Sequence, residues 1–276
     1  MSNGKILTPY ETVQEARNPK RAGIFDYIEA LFEDFVELHG DRLYRDDPSL
    51  VGGIASFCDM TVMVIGHRKG KNTKENIAYN FGMTSPEGYR KAIRLMKMAE
   101  KFGWPVITFV DTPGAYPGLE AESNGQSNAI AESIACMCRL KTPVISIVTG
   151  EGNSGGALAI AAANRVWMLE HAIYAILSPE GFASIMWKDA SKAAEACEAM
   201  KITARELKDY GLVDDIIPEG ENGLRVLEEK LLSAIKQLKK YSPEELAENR
   251  YRKFRTLDSF SSQLESNVSE TGGDKR

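Results

Sequence analysis

Residues 143–169, PVISIVTGEGNSGGALAIAAANRVWML, are the stretch that decides how the whole chain is interpreted. The apolar run 144–148 predicts a buried strand, and the small residues 157–163 predict a short helix. A glycine-rich loop, 149–154, follows the strand, and the pair Gly155-Gly156 opens the helix. A strand, a glycine turn and a helix start direct several backbone N–H groups to one point. Such a point suits a phosphate, a carboxylate or a developing oxyanion.

One motif in this loop is G-x-S-x-G, which places Ser154 as the nucleophile of a hydrolase. Such a serine needs a histidine base, and the chain offers only His39, His67 and His171. Only His171 follows the serine, and no suitably spaced acid precedes it. The motif therefore gives weak support to a serine hydrolase.

A second motif is the glycine pattern Gly150-x-Gly152-x-x-Gly155, followed by an acid at Glu170. It is close to the phosphate-binding turn of dinucleotide-binding folds. The helix predicted after it is short for a crossover that covers a doubly wound sheet. The pattern therefore gives weak support to nucleotide binding.

The hypothesis we favour is an oxyanion hole formed by the glycines of this stretch, in which peptide N–H groups hold a negatively charged oxygen. Glycine suits this role because a Cβ would block close approach and because the turn is expected to need a positive φ. A glycine turn without a chemical role is the remaining alternative.

Composition narrows the class of protein. The chain has 276 residues, 43% hydrophobic and 26% charged, which are ordinary globular values, and a net charge of −5, which argues against nucleic acid as the main partner. No run of 18 apolar residues and no apolar signal core occur, so we expect no membrane association and a cytoplasmic location. We expect reduced thiols and no metal site, because no metal-ligand spacing relates the four cysteines Cys58, Cys136, Cys138 and Cys197.

Three regions are expected along the chain. Residues 1–23 are polar and predict an extended arm, and residues 257–276 predict a disordered tail. Residues 24–256 form the folded domain, which starts with an amphipathic helix over 24–38 and ends with charged surface helices within 224–256.

A basic loop at residues 66–73, GHRKGKNT, fails as a Walker A phosphate loop. It has three residues between its glycines rather than four, and asparagine where serine or threonine should bind magnesium. Either a basic loop near an anionic ligand or a solvated turn remains open.

The order strand, glycine-rich loop, helix occurs twice, at 106–140 and at 144–163. The first unit carries the loop Asp111-Thr112-Pro113-Gly114-Ala115-Tyr116 after its strand. Two such units side by side can offer N–H groups to one cleft. This internal repeat is the main organisational clue in the sequence.

With both loops in view, the chain resembles the carboxyltransferase α subunit of bacterial acetyl-CoA carboxylase, in order from about residue 24 to 255. The family's N-terminal helical segment is often longer. The resemblance implies an α/β crotonase-like (ClpP/crotonase) fold, a spiral of repeated ββα units with two near-perpendicular sheets flanked by helices. It is carried by these strings: VGGIASF, VIGHRKG, NFGMTSPEGYRKAIRLMKMAEKF, ITFVDTPGAYPG, GQSNAIAES, GEGNSGGALAIA, SPEGFASIMWKDA and LVDDIIPE.

The resemblance also implies a reaction and partners. The family transfers a carboxyl group from carboxybiotin, on the biotin carboxyl carrier protein, to acetyl-CoA, giving malonyl-CoA for fatty-acid synthesis. Its α and β subunits form an α2β2 heterotetramer with the sites between them, and the β subunit carries a zinc ribbon. ATP belongs to the separate biotin carboxylase step.

On this resemblance, Gly155 and Gly156 are the first candidate set of oxyanion donors, and Gly114 and Ala115 are the second. Tyr116 and Ser154 are candidate substrate contacts, with a packing role as the alternative for each. Two other functions remain open. One is a crotonase-like acyl-CoA decarboxylase or hydratase/isomerase, with Glu120 or Glu122 as its acid. The other is a non-catalytic scaffold subunit.

Overall fold

The structure, a computed structural model, describes residues 7–271 and their side chains as far as residue 257. Short 3-10 helices lie at Asn80–Gly82 and Ala190–Lys192. The α-helices of this part are α1 Pro9–Ala16, α2 Ile24–Leu31, α3 Thr73–Ala78, α4 Pro86–Phe102, α5 Leu119–Ser123, α6 Gln126–Arg139, α7 Ser154–Leu158, α8 Pro179–Trp187, α9 Ala193–Met200, α10 Ala204–Asp209, α11 Gly223–Leu238 and α12 Pro243–Thr271. Its strands are β1 Glu33–Glu37, β2 Leu50–Phe57, β3 Met60–His67, β4 Val106–Thr112, β5 Val144–Asn153, β6 Arg165–Leu169, β7 Ile173–Ala175 and β8 Asp215–Ile217.

The strands form one mixed sheet in the order β1-β2-β3-β4-β5-β6-β8. Strands β1, β2 and β3 pair antiparallel, whereas β3 to β8 along this path pair parallel. The sheet branches at β5, because the far end of β5 pairs with β7 instead of β6. The two sheets implied by the resemblance are thus joined through β5 in the described part of the chain.

The two units of the internal repeat lie side by side in the structure. Strands β4 and β5, which begin the two repeat units, are parallel neighbours with Val106 opposite Val144. Their carboxyl ends therefore lie at the same edge of the sheet, and so do the glycine loops that follow them. Helices α4 and α6 pack beside each other over the sheet.

The amphipathic helix expected over 24–38 is shorter than predicted. Helix α2 ends at Leu31, and the chain turns into the edge strand β1 through an extended Phe32. The strand lies so close to β2 that a Cβ on Gly53 would be 2.2 Å from the carbonyl oxygen of Val36. This tertiary contact overrides the helical pattern of the sequence.

The N-terminal arm is not extended where the structure describes it. Helix α1 starts at a capping box in which Thr8 and Glu11 bind each other's backbone N–H groups. Val13 is fully buried in a small apolar cluster with Ile173 and Cys197. The arm is thus packed against the body of the domain, and residues 1–6 lie outside the described residues.

The tail expected to be disordered from residue 257 is helical as far as Thr271, because α12 continues to that residue. The physical reason is that residues 257–271 contain neither glycine nor proline, which first return at Gly272. Residues 272–276 lie outside the described part. Helix α12 is anchored by the fully buried Arg250, which donates to the carbonyl oxygens of Met137 and Leu140 at the end of α6.

Candidate active site

The two glycine loops contact each other through their backbones. A Cβ built on Gly156 would lie 2.6 Å from the nitrogen of Ala115 and 2.8 Å from the carbonyl carbon of Gly114. Real Cβ atoms do not approach backbone atoms so closely, so only glycine fits at position 156. The structure therefore brings together Gly156, Gly114 and Ala115, three of the candidates named from the sequence.

The first loop has one N–H group available for a ligand. Gly114 donates its own N–H to the hydroxyl of Thr112 at 3.1 Å, and Tyr116 donates to the carbonyl oxygen of Thr84 at 3.0 Å. Within residues 7–271 no partner accepts from the N–H of Ala115. Ala115 is thus the better donor candidate, while Gly114 supplies the turn with its φ of +142°.

The second loop differs from the expectation that strand 144–148 gives way to a loop and then a helix over 157–163. Strand β5 continues to Asn153, because its end pairs with both Thr112 of β4 and Tyr174 of β7. Helix α7 then starts at Ser154 and spans only five residues, Ser154–Leu158. Gly155 and Gly156 therefore lie in its first turn, where N–H groups have no partner inside the helix.

Ser154 marks the sharp bend between β5 and α7. Its φ is +62°, a left-handed conformation that is uncommon outside glycine, and its side chain is exposed. Asn153, which precedes it, is fully buried and gives α7 no side-chain cap. The bend presents Ser154 and Gly155 to the adjoining surface.

That surface is an apolar groove of about 660 Å³ that begins at Ser154 and Gly155. Its ionisable side chains are Tyr174 and Lys201, and burial raises the pKa of Tyr174 to about 12. Lys201 forms an ion pair with Glu206 at 3.3 Å. The groove is further lined by Leu158, Ala161, Val166, Ala175, Ile176, Phe182, Met200, Ile202, Leu207, Leu212, Phe254 and Leu257.

Tyr116 lies against its own loop. A Cβ on Gly118 would be 2.4 Å from the Tyr116 ring, so Gly118 makes room for that ring. The carbonyl oxygen of Tyr116 accepts from the side-chain amide of Gln126 at 2.9 Å. These are packing contacts of Tyr116 within its own loop and with Gln126. A contact between Tyr116 and substrate stays a prediction.

A cluster of ion pairs, not predicted from the sequence, lies where the strands lead into the two glycine loops. We call it the ion cluster, and its members are Arg17, Lys69, Asp111, Glu151 and Glu180. Lys69, two residues after β3, places its ammonium 2.7 Å from Asp111 and 2.9 Å from Glu151. Asp111 lies near the end of β4 and Glu151 within β5, each shortly before its glycine loop. One ammonium thus joins the ends of three neighbouring strands. Arg17, the residue directly after α1, also pairs with Glu151 and extends the cluster to Glu180 of α8.

The charges of the ion cluster stabilise one another. Burial alone would raise the pKa of Glu151, but Lys69 and Arg17 outweigh it and lower that pKa. Burial likewise opposes charge on Lys69, yet Asp111 and Glu151 raise its pKa. Lys69 and Glu151 are therefore both charged at neutral pH. The basic loop 66–73 thus contributes Lys69 to an internal ion cluster that neither open hypothesis included, whereas residues 71–73 are exposed, as the solvated turn requires.

In the described part of the chain, none of the three histidines is placed to act as a general base for Ser154. His39 hydrogen-bonds Asp46, and His171 hydrogen-bonds Glu219. His67 is buried beside the backbone of Gly156, and both burial and the charge of Lys69 lower its pKa to about 3. Since no histidine forms a hydrogen bond with Ser154, the geometry does not support a serine hydrolase.

Two kinds of feature are absent from residues 7–271. No group of three or more His, Cys, Asp and Glu side chains is arranged to hold a metal ion. No helix there is both long and apolar enough to cross a membrane.

The chain matches a known family over almost its whole length. Residues 3–258 fit the family model described as acetyl co-enzyme A carboxylase carboxyltransferase-like. A relative from Clostridium acetobutylicum, named acetyl-coenzyme A carboxylase carboxyl transferase subunit alpha, is 54% identical over 94% of this chain and 98% of its own. A relative of the same name from Thermus thermophilus is 53% identical over 92% of this chain and 84% of its own.

Solved structures share the fold at low identity. A transcarboxylase 12S chain aligns with a TM-score of 0.69 at 20% identity, and this chain spans 44% of its length. A chain of a Pseudomonas malonate decarboxylase heterotetramer aligns with a TM-score of 0.64 at 16% identity, over 82% of this chain and 92% of that one. These likenesses confirm the α/β crotonase-like fold that the sequence resemblance implies.

Proposed function

The chain belongs to the acetyl co-enzyme A carboxylase carboxyltransferase family, and from this premise we propose that it is the α subunit of that carboxyltransferase. The proposed reaction moves a carboxyl group from carboxybiotin, carried by a biotin carboxyl carrier protein, to acetyl-CoA, which becomes malonyl-CoA. The relatives at 53–54% identity carry the corresponding name.

The observation that carries the proposal is the contact of Gly156 with the Gly114–Ala115 peptide beside an apolar groove. Carboxybiotin supplies the carboxyl group, and its release leaves negative charge on the ureido oxygen of the ring. The acetyl thioester must likewise carry an enolate oxygen. Preorganised N–H donors stabilise such oxygens, and removing one donor costs about 3–4 kcal/mol in known enzymes.

In this site Gly155 and Gly156 donate from the first turn of α7, and Ala115 donates from the first loop. Gly114 allows the turn that presents Ala115. Ser154 borders the groove, where its hydroxyl is the polar group nearest in sequence to these donors. The groove fits a small uncharged ring because most of its walls are apolar.

The groove contains no carboxylate among its described lining residues. A hydratase or isomerase of this fold would need an acid, and the candidates Glu120 and Glu122 are exposed on α5. Glu120 pairs with Arg45 at 2.9 Å. A site without its own base supports a reaction in which the freed biotin accepts the acetyl proton.

The proposed partners follow from the family. They are a β subunit, which would supply the CoA side of the site and a zinc ribbon in an α2β2 heterotetramer, and the biotin carrier protein. ATP would be consumed only by a separate biotin carboxylase. A cytoplasmic location, expected from the sequence, remains part of the proposal.

The test is malonyl-CoA decarboxylation with biocytin as the acceptor, the reverse reaction, on the chain alone and with its β subunit. We expect activity in the assembled pair only. Activity of the lone chain, or hydration of enoyl-CoA by it, would contradict the proposal. If the pair assembles but is inactive, the result would instead favour the alternative that this chain is a non-catalytic scaffold subunit.

A further inference from the structure

Tyr89, in the first turns of α4, holds a hydroxyl group in an unusual environment. Its side chain is fully buried. Throughout the described part of the chain, no group lies within hydrogen-bonding geometry of this hydroxyl, although the hydroxyl of Thr84 lies close to it. Buried tyrosine hydroxyls nearly always have a partner, because an unpartnered one loses its hydration without replacement.

The position of this hydroxyl relates it to the candidate site. It lies 3.0 Å from the point where a Cβ of Gly156 would be, and the nitrogen of Ala115 lies 2.6 Å from the same point. The Tyr89 hydroxyl and the Gly114–Ala115 peptide therefore border the same small space beside the Cα of Gly156.

Tyr89 is uncharged at neutral pH. Burial, with the nearby Asp47, raises the pKa of its hydroxyl far above the usual value. The hydroxyl thus keeps its proton and remains a hydrogen-bond donor at neutral pH.

The Gly114 carbonyl is the acceptor that this donor suits. Its oxygen accepts from the hydroxyl of Thr112 at 2.7 Å and, like any carbonyl oxygen, has a second lone pair. The Gly114 carbonyl and the Ala115 N–H belong to one planar peptide unit, so holding the carbonyl fixes the direction of the N–H.

We propose that Tyr89 is a positioning residue whose hydroxyl donates to the Gly114 carbonyl when substrate occupies the site. Together with Thr112 it aims the Ala115 N–H at the developing oxyanion. The inference rests on the proposed function, since it concerns the same donor group. It goes beyond that function by assigning a role to a side chain that does not touch the substrate.

The test is Tyr89→Phe in the assembled α and β pair, assayed by malonyl-CoA decarboxylation with biocytin. We expect kcat to fall about 10- to 100-fold, because a misdirected donor weakens transition-state binding, with the KM for malonyl-CoA within about 3-fold. The thermal midpoint should stay equal or rise, because the variant removes a buried hydroxyl without a partner.

A matched control is Tyr27→Phe, which alters a buried tyrosine stacked on Phe109 in the main core. This variant should keep kcat unchanged. A Tyr89→Phe pair with normal kcat would overturn the inference. So would a fall in kcat that is accompanied by a matching fall in the thermal midpoint, because that result indicates an ordinary structural role.

Amide hydrogen exchange of residues 112–118, with and without biocytin, separates this inference from the proposed function. We expect biocytin to slow exchange there in the wild-type pair and much less in Tyr89→Phe. Equal protection in both would overturn the role of Tyr89 whatever the activity. An inactive wild-type pair that still shows the difference would contradict the proposed reaction alone.

Discussion

At the scale of single residues, His67 combines complete burial with a position beside the backbone of Gly156. In the described part of the chain neither ring nitrogen meets full hydrogen-bond geometry, although the backbone of Gly156 lies close to the ring. Burial and Lys69 lower its pKa from 6.5 to about 3, so the folded protein keeps it neutral. The unfolded chain, in contrast, binds a proton at His67 below about pH 6.5.

This difference predicts a pH dependence of stability. Between the two pKa values the unfolded state binds more protons, so the free energy of unfolding falls as the pH is lowered. From pH 7 to pH 5 the contribution of His67 amounts to a loss of about 2 kcal/mol. Urea unfolding at both pH values measures it.

His67→Gln is the control, because glutamine does not titrate. The loss between pH 7 and pH 5 should shrink by about 2 kcal/mol in this variant. An unchanged loss would show that other groups account for the pH dependence.

At the scale of elements, the ion cluster explains how β3, β4 and β5 hold the two glycine loops in register. Lys69 contacts carboxylates on both β4 and β5, and a Cβ on Gly150 would be only 2.3 Å from Asp111. The backbone N–H of Glu151 also donates to Asp111 at 2.9 Å. Each strand end is thus fixed to its neighbour immediately before its loop.

Lys69→Met should therefore lower the free energy of unfolding by about 3 kcal/mol, because it leaves the buried Glu151 and the partly buried Asp111 without their shared cation. The exposed pair of Lys71 with Asp26 in the same loop provides the control. Lys71→Met should cost under about 1 kcal/mol. Equal losses in denaturant unfolding would argue against the ion cluster.

Elements formed by local signals could be predicted from the sequence. Helix α4 has such signals, because the proline at its start and the glycine at its end are local features. Helix α1 also has a local signal, the Thr8-Pro9-Tyr10-Glu11 capping box, which our sequence analysis did not use. Strand β1 could not be predicted in this way, because it depends on contact with Gly53, distant in sequence.

In the candidate site, too, some features follow from local sequence signals and others depend on residues distant in sequence. The repeat of strand, loop and helix led us to expect that both glycine loops could offer N–H groups to one cleft, and the structure places Gly156 against the Gly114–Ala115 peptide. The ion cluster could not be predicted, since Lys69 and Glu151 are 82 residues apart. Neither carries a local motif, and a lone lysine in a basic loop looks the same whether buried or solvated.

At the scale of the whole molecule, the N-terminal helix belongs to the body of the domain. Arg17, the residue directly after α1, binds Glu151 and Glu180 at 2.8 and 2.7 Å. Helix α8, which begins beside Glu180, contributes Phe182 to the groove. The arm, the glycine loops and the groove are therefore joined by one set of ion pairs.

The central claim is that the touching glycine loops form one oxyanion site. Its most direct test compares Gly156→Ala with Gly155→Ala in the assembled α and β pair. At position 156 a methyl group meets the backbone of Ala115 at 2.6 Å, whereas at 155 it meets only Ile130 at 3.3 Å.

The measurement is kcat for malonyl-CoA decarboxylation with biocytin, with assembly verified by analytical ultracentrifugation. We expect Gly156→Ala to lose about 100-fold or more and Gly155→Ala to lose much less. A Gly156→Ala pair that assembles and retains full kcat would contradict the claim.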